Sequence, residues 1–228
     1  MATPSLPDSH DFWLFGYGSL IWKPPPHFEV PSTWPNLLTR IEASEDHRGT
    51  PEAPGRVVTL IERSFWETLD DPQRDTEGTK VWGVAYHIVP ERVAEVKEYL
   101  DIREINGYSI QYATFRPADD NIPDICCLVY IGMPDNPQFL GALHPQDVAA
   151  KINESIGPSG ENSEYLLQLE AGLKSLSPES GDEHISDLAR RVRTMATPAR
   201  SSRQRRASAA GLQRVSSTQE QEEIEKEV

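Results

Sequence analysis

The sequence predicts an α+β fold, a mixed sheet or barrel with helices packed on one side. Two observations carry that expectation. Short apolar runs bounded by turn formers dominate the first 131 residues, whereas helical periodicity gathers after residue 145. The regular strand–helix alternation of a βαβ fold is missing.

Taken in order, residues 12–16 (FWLFG), 56–62 (RVVTLIE), 81–88 (VWGVAYHI), 109–116 (SIQYATFR) and 126–131 (CCLVYI) are rich in β-branched and aromatic residues, which predicts five strands. Val89, Val93, Val96 and Leu100 recur at i, i+4, i+7 and i+11, which predicts a helix over 90–104. Pro90 suits its first turn, where the missing N–H costs nothing. Further helices are predicted at 145–156, 162–176 and 182–195. Pro145 suits a first turn, and Asn162, Ser163 or Asp182 would serve as N-caps.

Composition narrows the function. The chain has 228 residues, 25% of them charged, and a formal net charge of −14. That length suits one domain with tails. The acidic balance argues against a nucleic-acid partner, which needs a basic face. No run approaches the eighteen or so apolar residues of a membrane span, and residues 1–10 lack a signal-peptide core. Cys126 and Cys127 are neighbours on a predicted strand and point to opposite faces, so they read as thiols in a reducing, cytoplasmic setting. Residues 196–228 carry six Arg or Lys and five Glu among Ser and Gln, which leaves about −15 on the preceding part. With so little apolar surface to bury, 196–228 reads as a disordered tail, and 1–10 as a shorter one. Ser208, in RQRRAS, reads either as a site for a basophilic kinase or as part of an ordinary solubilising tail.

Within the predicted domain, 11–195, four stretches bear on chemistry. Gly16-Tyr17-Gly18-Ser19 ends the first strand; it lacks the third glycine of a dinucleotide fingerprint and the Lys-Ser/Thr of a P-loop. It is either a tight turn or a loop whose N–H groups face an anion or oxyanion. Glu104 follows the helix 90–103, where the negative dipole end disfavours an acid. It is either solvated there or turned inward with a raised pKa, as a general base needs. DHRGTPEAPGRVVTL, 46–60, groups Asp46, His47, Arg48 and Arg56 around a Gly/Pro turn. GPSGENSEYL, 157–166, is a turn feeding a helix. The six histidines show no metal-ligand spacing.

Together FGYGSLIW, DHRGTPEAPGRVVTL, VWGVAY, YLDIREINGY, YIGMPDNPQFLG and GPSGENSEYL with DEH resemble the ChaC-like, glutathione-specific γ-glutamylcyclotransferases, in order from about residue 12 to 193. The resemblance implies a γ-glutamylcyclotransferase-like fold, a small mixed barrel surrounded by helices. It implies the conversion of glutathione to 5-oxoproline and Cys-Gly with no cofactor. It also implies that Leu14, Phe15, Gly16, Tyr17, Gly18, Ser19 and Leu20 bind the γ-glutamyl group, and that Glu104 is the catalytic base. Arg48, Arg56 and Arg103 are candidates for a cation in the cleft. Two other functions stay open: a cyclotransferase for other γ-glutamyl compounds, and an interaction protein of impaired activity.

One segment departs from the family. Residues 28–43, FEVPSTWPNLLTRIEA, stand where relatives carry a strand reading roughly Arg-Arg-Phe-Trp-Gln. Pro31 and Pro35 disfavour a central strand. The expectation is a sheet missing one strand, with 36–43 covering the gap as a helical turn.

Overall fold

The computed structural model describes residues 12–29, 38–44, 48–70, 81–103, 108–119, 121–136, 138–141 and 143–195. Its centre is β1 (Phe12–Gly16), a strand buried at four of five positions. It pairs antiparallel with β5 (Val84–Ile88), from Phe12↔Ile88 to Gly16↔Val84. β2 (Phe28–Glu29) adds two residues to the far side of β5. The other edge of β1 meets β7 (Ile125–Gly132) in parallel at Leu14↔Leu128.

β7 organises the rest. β6 (Tyr108–Phe115) pairs antiparallel with it along its whole length. A strand has two edges, so β1 and β4 (Gly55–Ile61) share the remaining one, β1 at Leu128 and β4 at Gly132. β1 and β4 are thus parallel strands that part from one another at β7. The seven-stranded sheet runs β2-β5-β1-β7-β4-β3, with β6 on β7. The near-continuous apolar runs of β1 and β7 follow from being covered on both faces: Leu14, Phe15, Cys127 and Val129 are all at most 2% exposed.

Helices form the second layer. A four-residue α1 (Arg63–Trp66) buries Trp66 against Ile61. α2 (Val93–Arg103) turns Val96 into the β1–β7 core. α3 (Pro145–Glu154), α4 (Asn162–Leu176) and α5 (Glu183–Met195) pack together over Val58. In α5, Ile185, Leu188, Ala189 and Val192 recur at i, i+3, i+4 and i+7, one apolar stripe facing the neighbours. Glu170 of α4, though buried, is held by Lys174 and Arg193, which pins α4 to α5. A two-stranded ribbon, β8 (Ile156–Gly157) and β9 (Gly160–Glu161), turns through residues 158–159, resumes at Gly160 with φ 103° and delivers the chain to α4.

The predicted α+β class and its elements are present, with four corrections. Residues 38–44 are a strand, β3 (Leu38–Ser44), antiparallel to β4 from Leu38↔Ile61 to Ser44↔Gly55. The expected helical turn at 36–43 is therefore wrong where it is described. Pro31 and Pro35 precede β3, outside the described residues, and LTRIEAS alternates well enough to lie along an edge. The strand predicted at 81–88 begins at Val84, because β1 ends at Gly16 and offers nothing beyond to pair. Gly83 is pressed instead against the Gly16 carbonyl and the Phe15 ring, where a Cβ would sit 2.5 Å from each. The α4 N-cap is Glu161, without a side-chain cap bond, and Asn162 is turned to other use. The sheet also stays open among the described residues: β2 and β3 end it without pairing each other. Asp182 does cap α5 as predicted, accepting from the Ile185 N–H at 2.8 Å.

Candidate active site

The glycine loop leaves β1 where β1 and β4 part. Leu14 and Phe15 are core residues, 0% and 2% exposed, so from that end the loop can offer a ligand main chain alone. Gly16 is a close approach: a Cβ there would lie 2.5 Å from the Tyr86 ring. Its absence lets Tyr86 cross over and donate to the Leu20 carbonyl at 2.5 Å. Burial pushes the Tyr86 phenol up to about 12, so it remains a donor throughout the neutral range.

Gly18–Ile21 form a single 3₁₀ turn, with the Leu20 N–H on the Tyr17 carbonyl at 3.1 Å. Gly18 has φ 57°, a left-handed conformation that favours glycine. A Cβ there would meet Val58 Cγ2 at 3.1 Å and the Tyr165 hydroxyl at 3.2 Å. The Ser19 carbonyl accepts from the Trp22 and Lys23 N–H groups, which closes the turn. Tyr17 is half-buried, its ring 6.3 Å from Phe15.

Behind the loop, α4 meets the inner edge of β4. Asn162 Oδ1 accepts from the Arg56 N–H at 2.6 Å, and its Nδ2 donates to the Arg56 carbonyl at 2.7 Å. The Val58 N–H donates to the Tyr165 hydroxyl at 3.2 Å. Residues two apart on a strand point their main-chain groups to the same edge. These two side chains therefore occupy the edge of β4 that faces away from β3. Tyr165 also meets the Trp22 ring edge at 5.5 Å, and the Arg48 guanidinium lies 5.8 Å over its ring.

The structure separates the candidate cations. Arg48 is 6% exposed, donates through Nη1 to the Glu161 carbonyl at 3.0 Å and sits 3.9 Å from Glu164. Burial lowers its pKa, and Glu164 and Tyr165 push it back up; an arginine stays charged throughout. Arg56 folds onto its own turn, donating to the Pro54 and Gly55 carbonyls, and its buried Nε has no partner among the described residues. The side chain of Arg103 and the whole of Glu104, His47 and Asp46 lie outside the described residues. Ser208 does too. Among the described residues, no group of three or more His, Cys, Asp or Glu could hold a metal, and no helix is long and apolar enough to cross a membrane.

Sequence reasoning named Arg48 but missed Asn162 and Tyr165 as site-building residues. Their partners lie 106 and 107 residues away, so no local spacing announces them.

Residues 12–195 match the family model described as ChaC-like protein. A fission-yeast protein (Schizosaccharomyces pombe) named glutathione-specific gamma-glutamylcyclotransferase is 39% identical over 194 residues, spanning 83% of this chain and 96% of that protein. The human protein named glutathione-specific gamma-glutamylcyclotransferase 1 is 34% identical, over 82% of this chain and 81% of its own length. The crystal structure of a yeast γ-glutamyl cyclotransferase specific to glutathione superposes with a TM-score of 0.69 at 31% identity, covering 82% of this chain and all of that one. With a match running from the first residue of β1 to the last of α5, this chain belongs to the ChaC-like protein family.

Proposed function

We propose that this chain degrades glutathione by cyclising its γ-glutamyl group, releasing 5-oxoproline and Cys-Gly in the cytoplasm. The observation that carries the reading is the glycine loop. Gly18, left-handed and backed by Val58 and Tyr165, presents main chain at the parting of β1 and β4. The family's glutathione-specific relatives support the choice of substrate.

In this reading residues 11–195 are the catalytic unit, and Gly16 through Leu20 hold the γ-glutamyl group, with Leu14 and Phe15 contributing main chain. The α-amine must attack its own γ-carbonyl carbon, and as an ammonium it has no lone pair. Glu104, the residue after the end of α2, takes that proton. The carbonyl oxygen becomes an oxyanion, stabilised by a donor near Gly18 and Ser19. Collapse breaks the bond to the cysteine nitrogen, which receives a proton from Glu104. Across the reaction the ammonium gives up two protons and the departing amine gains two, so no water is consumed. This chemistry calls for no cofactor. Because ring closure is intramolecular, orientation and proton transfer are what the protein supplies.

The test is incubation of the purified chain with glutathione and, separately, γ-glutamyl-alanine, measuring 5-oxoproline. Turnover of the second without the first would overturn the glutathione assignment. Glu104→Gln keeps the side-chain shape but cannot accept the proton, so kcat should fall roughly 10²- to 10⁴-fold with KM little changed. A variant keeping more than about a tenth of wild-type kcat would remove Glu104 from the role of base.

A further inference from the structure

We propose that Tyr165 touches the substrate, donating its hydroxyl proton in a hydrogen bond to the γ-carbonyl oxygen as that oxygen becomes an oxyanion, and that Arg48 is the residue positioning it. The proposal rests on the cyclotransferase reading above and adds a residue to it. Four observations converge on this hydroxyl. It lies 3.2 Å from where a Gly18 side chain would begin, so the missing side chain is what lets it reach the loop. Its oxygen accepts the Val58 N–H at 3.2 Å, which aims its own proton away from β4 and strengthens it as a donor. The Arg48 cation, 6% exposed, lies 5.8 Å over the ring and favours negative charge gathering on the phenol oxygen. Finally, the first turn of α4 cannot drift, because Asn162 grips both main-chain groups of Arg56 and Arg48 grips the Glu161 carbonyl. A donor held this way is already in place when charge develops.

The competing account makes Tyr165 a structural plug for the edge of β4, with no contact to substrate. Tyr165→Phe separates the two, since it keeps the ring between Trp22 and Arg48 and deletes the hydroxyl. The proposal expects kcat on glutathione to fall about 100-fold with KM within about threefold. A lower melting temperature with kcat within about threefold of wild type would overturn it. Arg48→Met should lower kcat in the wild-type background but add nothing to Tyr165→Phe, the signature of one residue acting through another. Equal losses in both backgrounds would remove Arg48 from the positioning role.

Should Tyr165→Phe not fold, 3,5-difluorotyrosine at position 165 preserves shape and ionises at lower pH. Among the described residues, Arg48 lies over the ring with Glu164 beside it. A substrate-touching phenol must stay protonated, so the alkaline limb of the kcat profile should move down by about one pH unit or more. An unmoved limb would overturn the proposal. A wild-type chain that forms no 5-oxoproline from either substrate would overturn the cyclotransferase reading and this proposal together. An active wild type with an unaffected Tyr165→Phe would overturn this proposal alone.

Discussion

The two edges of β4 are closed by different means. On the outer edge a whole strand, β3, pairs with it over seven residues from Leu38↔Ile61 to Ser44↔Gly55. On the inner edge β7 reaches β4 at Ile61↔Gly132, and at Arg56 and Val58 it is Asn162 and Tyr165 that supply the bonds a strand would have made. Main-chain pairing asks little of side-chain identity, so the outer edge accepts any segment that can extend. That is how residues 38–44, which suit a helical turn as well as a strand, still add an edge strand to the sheet. Side-chain pairing depends on individual residues, and the inner edge has no such tolerance. It is also the edge that carries the candidate site.

The sharpest way to break this contrast is Asn162→Ala. It leaves the Arg56 N–H and carbonyl without their partner in a region where Asn162 is fully buried. Each unpaired group costs about 1–3 kcal/mol, against a total stability of about 5–15 kcal/mol. At about 2–4 °C per kcal/mol for a domain of this size, the melting temperature should drop by roughly 10 °C. A change under about 2 °C would show that the inner edge does not rely on Asn162.

A proline scan of β3 has a smaller effect and tests the outer edge. Because Arg56 and Val58 turn their main-chain groups inward, Val57 turns its own toward β3, and Glu42↔Val57 is a hydrogen-bonded pair. Glu42→Pro removes a ladder donor and should cost about 1–3 kcal/mol. Ala43↔Arg56 is the alternate kind of pair, with the Ala43 N–H facing away from β4. Ala43→Pro should therefore melt within roughly 2 °C of wild type. Equal melting shifts would mean the register is not the one described.

The smallest effect concerns a third side chain that stands in for chain pairing, Tyr86 on the Leu20 carbonyl. Its phenol is raised from 10 to about 12 by burial, so folding favours the neutral form. Stability from this group is full below about pH 10 and is lost as pH rises through about 12. Tyr86→Phe should flatten the alkaline decline of the melting temperature across that window while costing about 1 kcal/mol at neutral pH. An unchanged alkaline slope would show that Tyr86 does not govern it.

Local order was legible in the residues, and non-local order was not. The apolar runs of β1, β4, β6 and β7 located those strands to within one residue at either end, and the predicted helix 162–176 is α4 itself. The Gly16–Ser19 loop was recognisable because two glycines ending a buried strand are costly unless something approaches closely. β3 was misread since Leu37, Leu38 and Ile41 suit a helical turn as well as a strand, and β4, not the segment itself, decides between them. Asn162 looked like an N-cap because Asn at a turn–helix junction usually is one. Its real partner is Arg56, which nothing near Asn162 discloses.

That separation has a consequence for how the molecule is made. Asn162 follows Arg56 by 106 residues, so at about 5–20 residues per second of synthesis the inner edge of β4 waits roughly 5–20 s for its cover. During that interval β4 can already pair with β3, a contact closed over a short loop, but its inner main-chain groups at Arg56 and Val58 stay open. The Gly18 turn likewise has only Val58 behind it, and lacks Tyr165, until α4 docks. The site is thus completed among the last steps of folding, and newly made chains halted before residue 162 carry the exposed edge of β4 without the hydroxyl and amide that cover it.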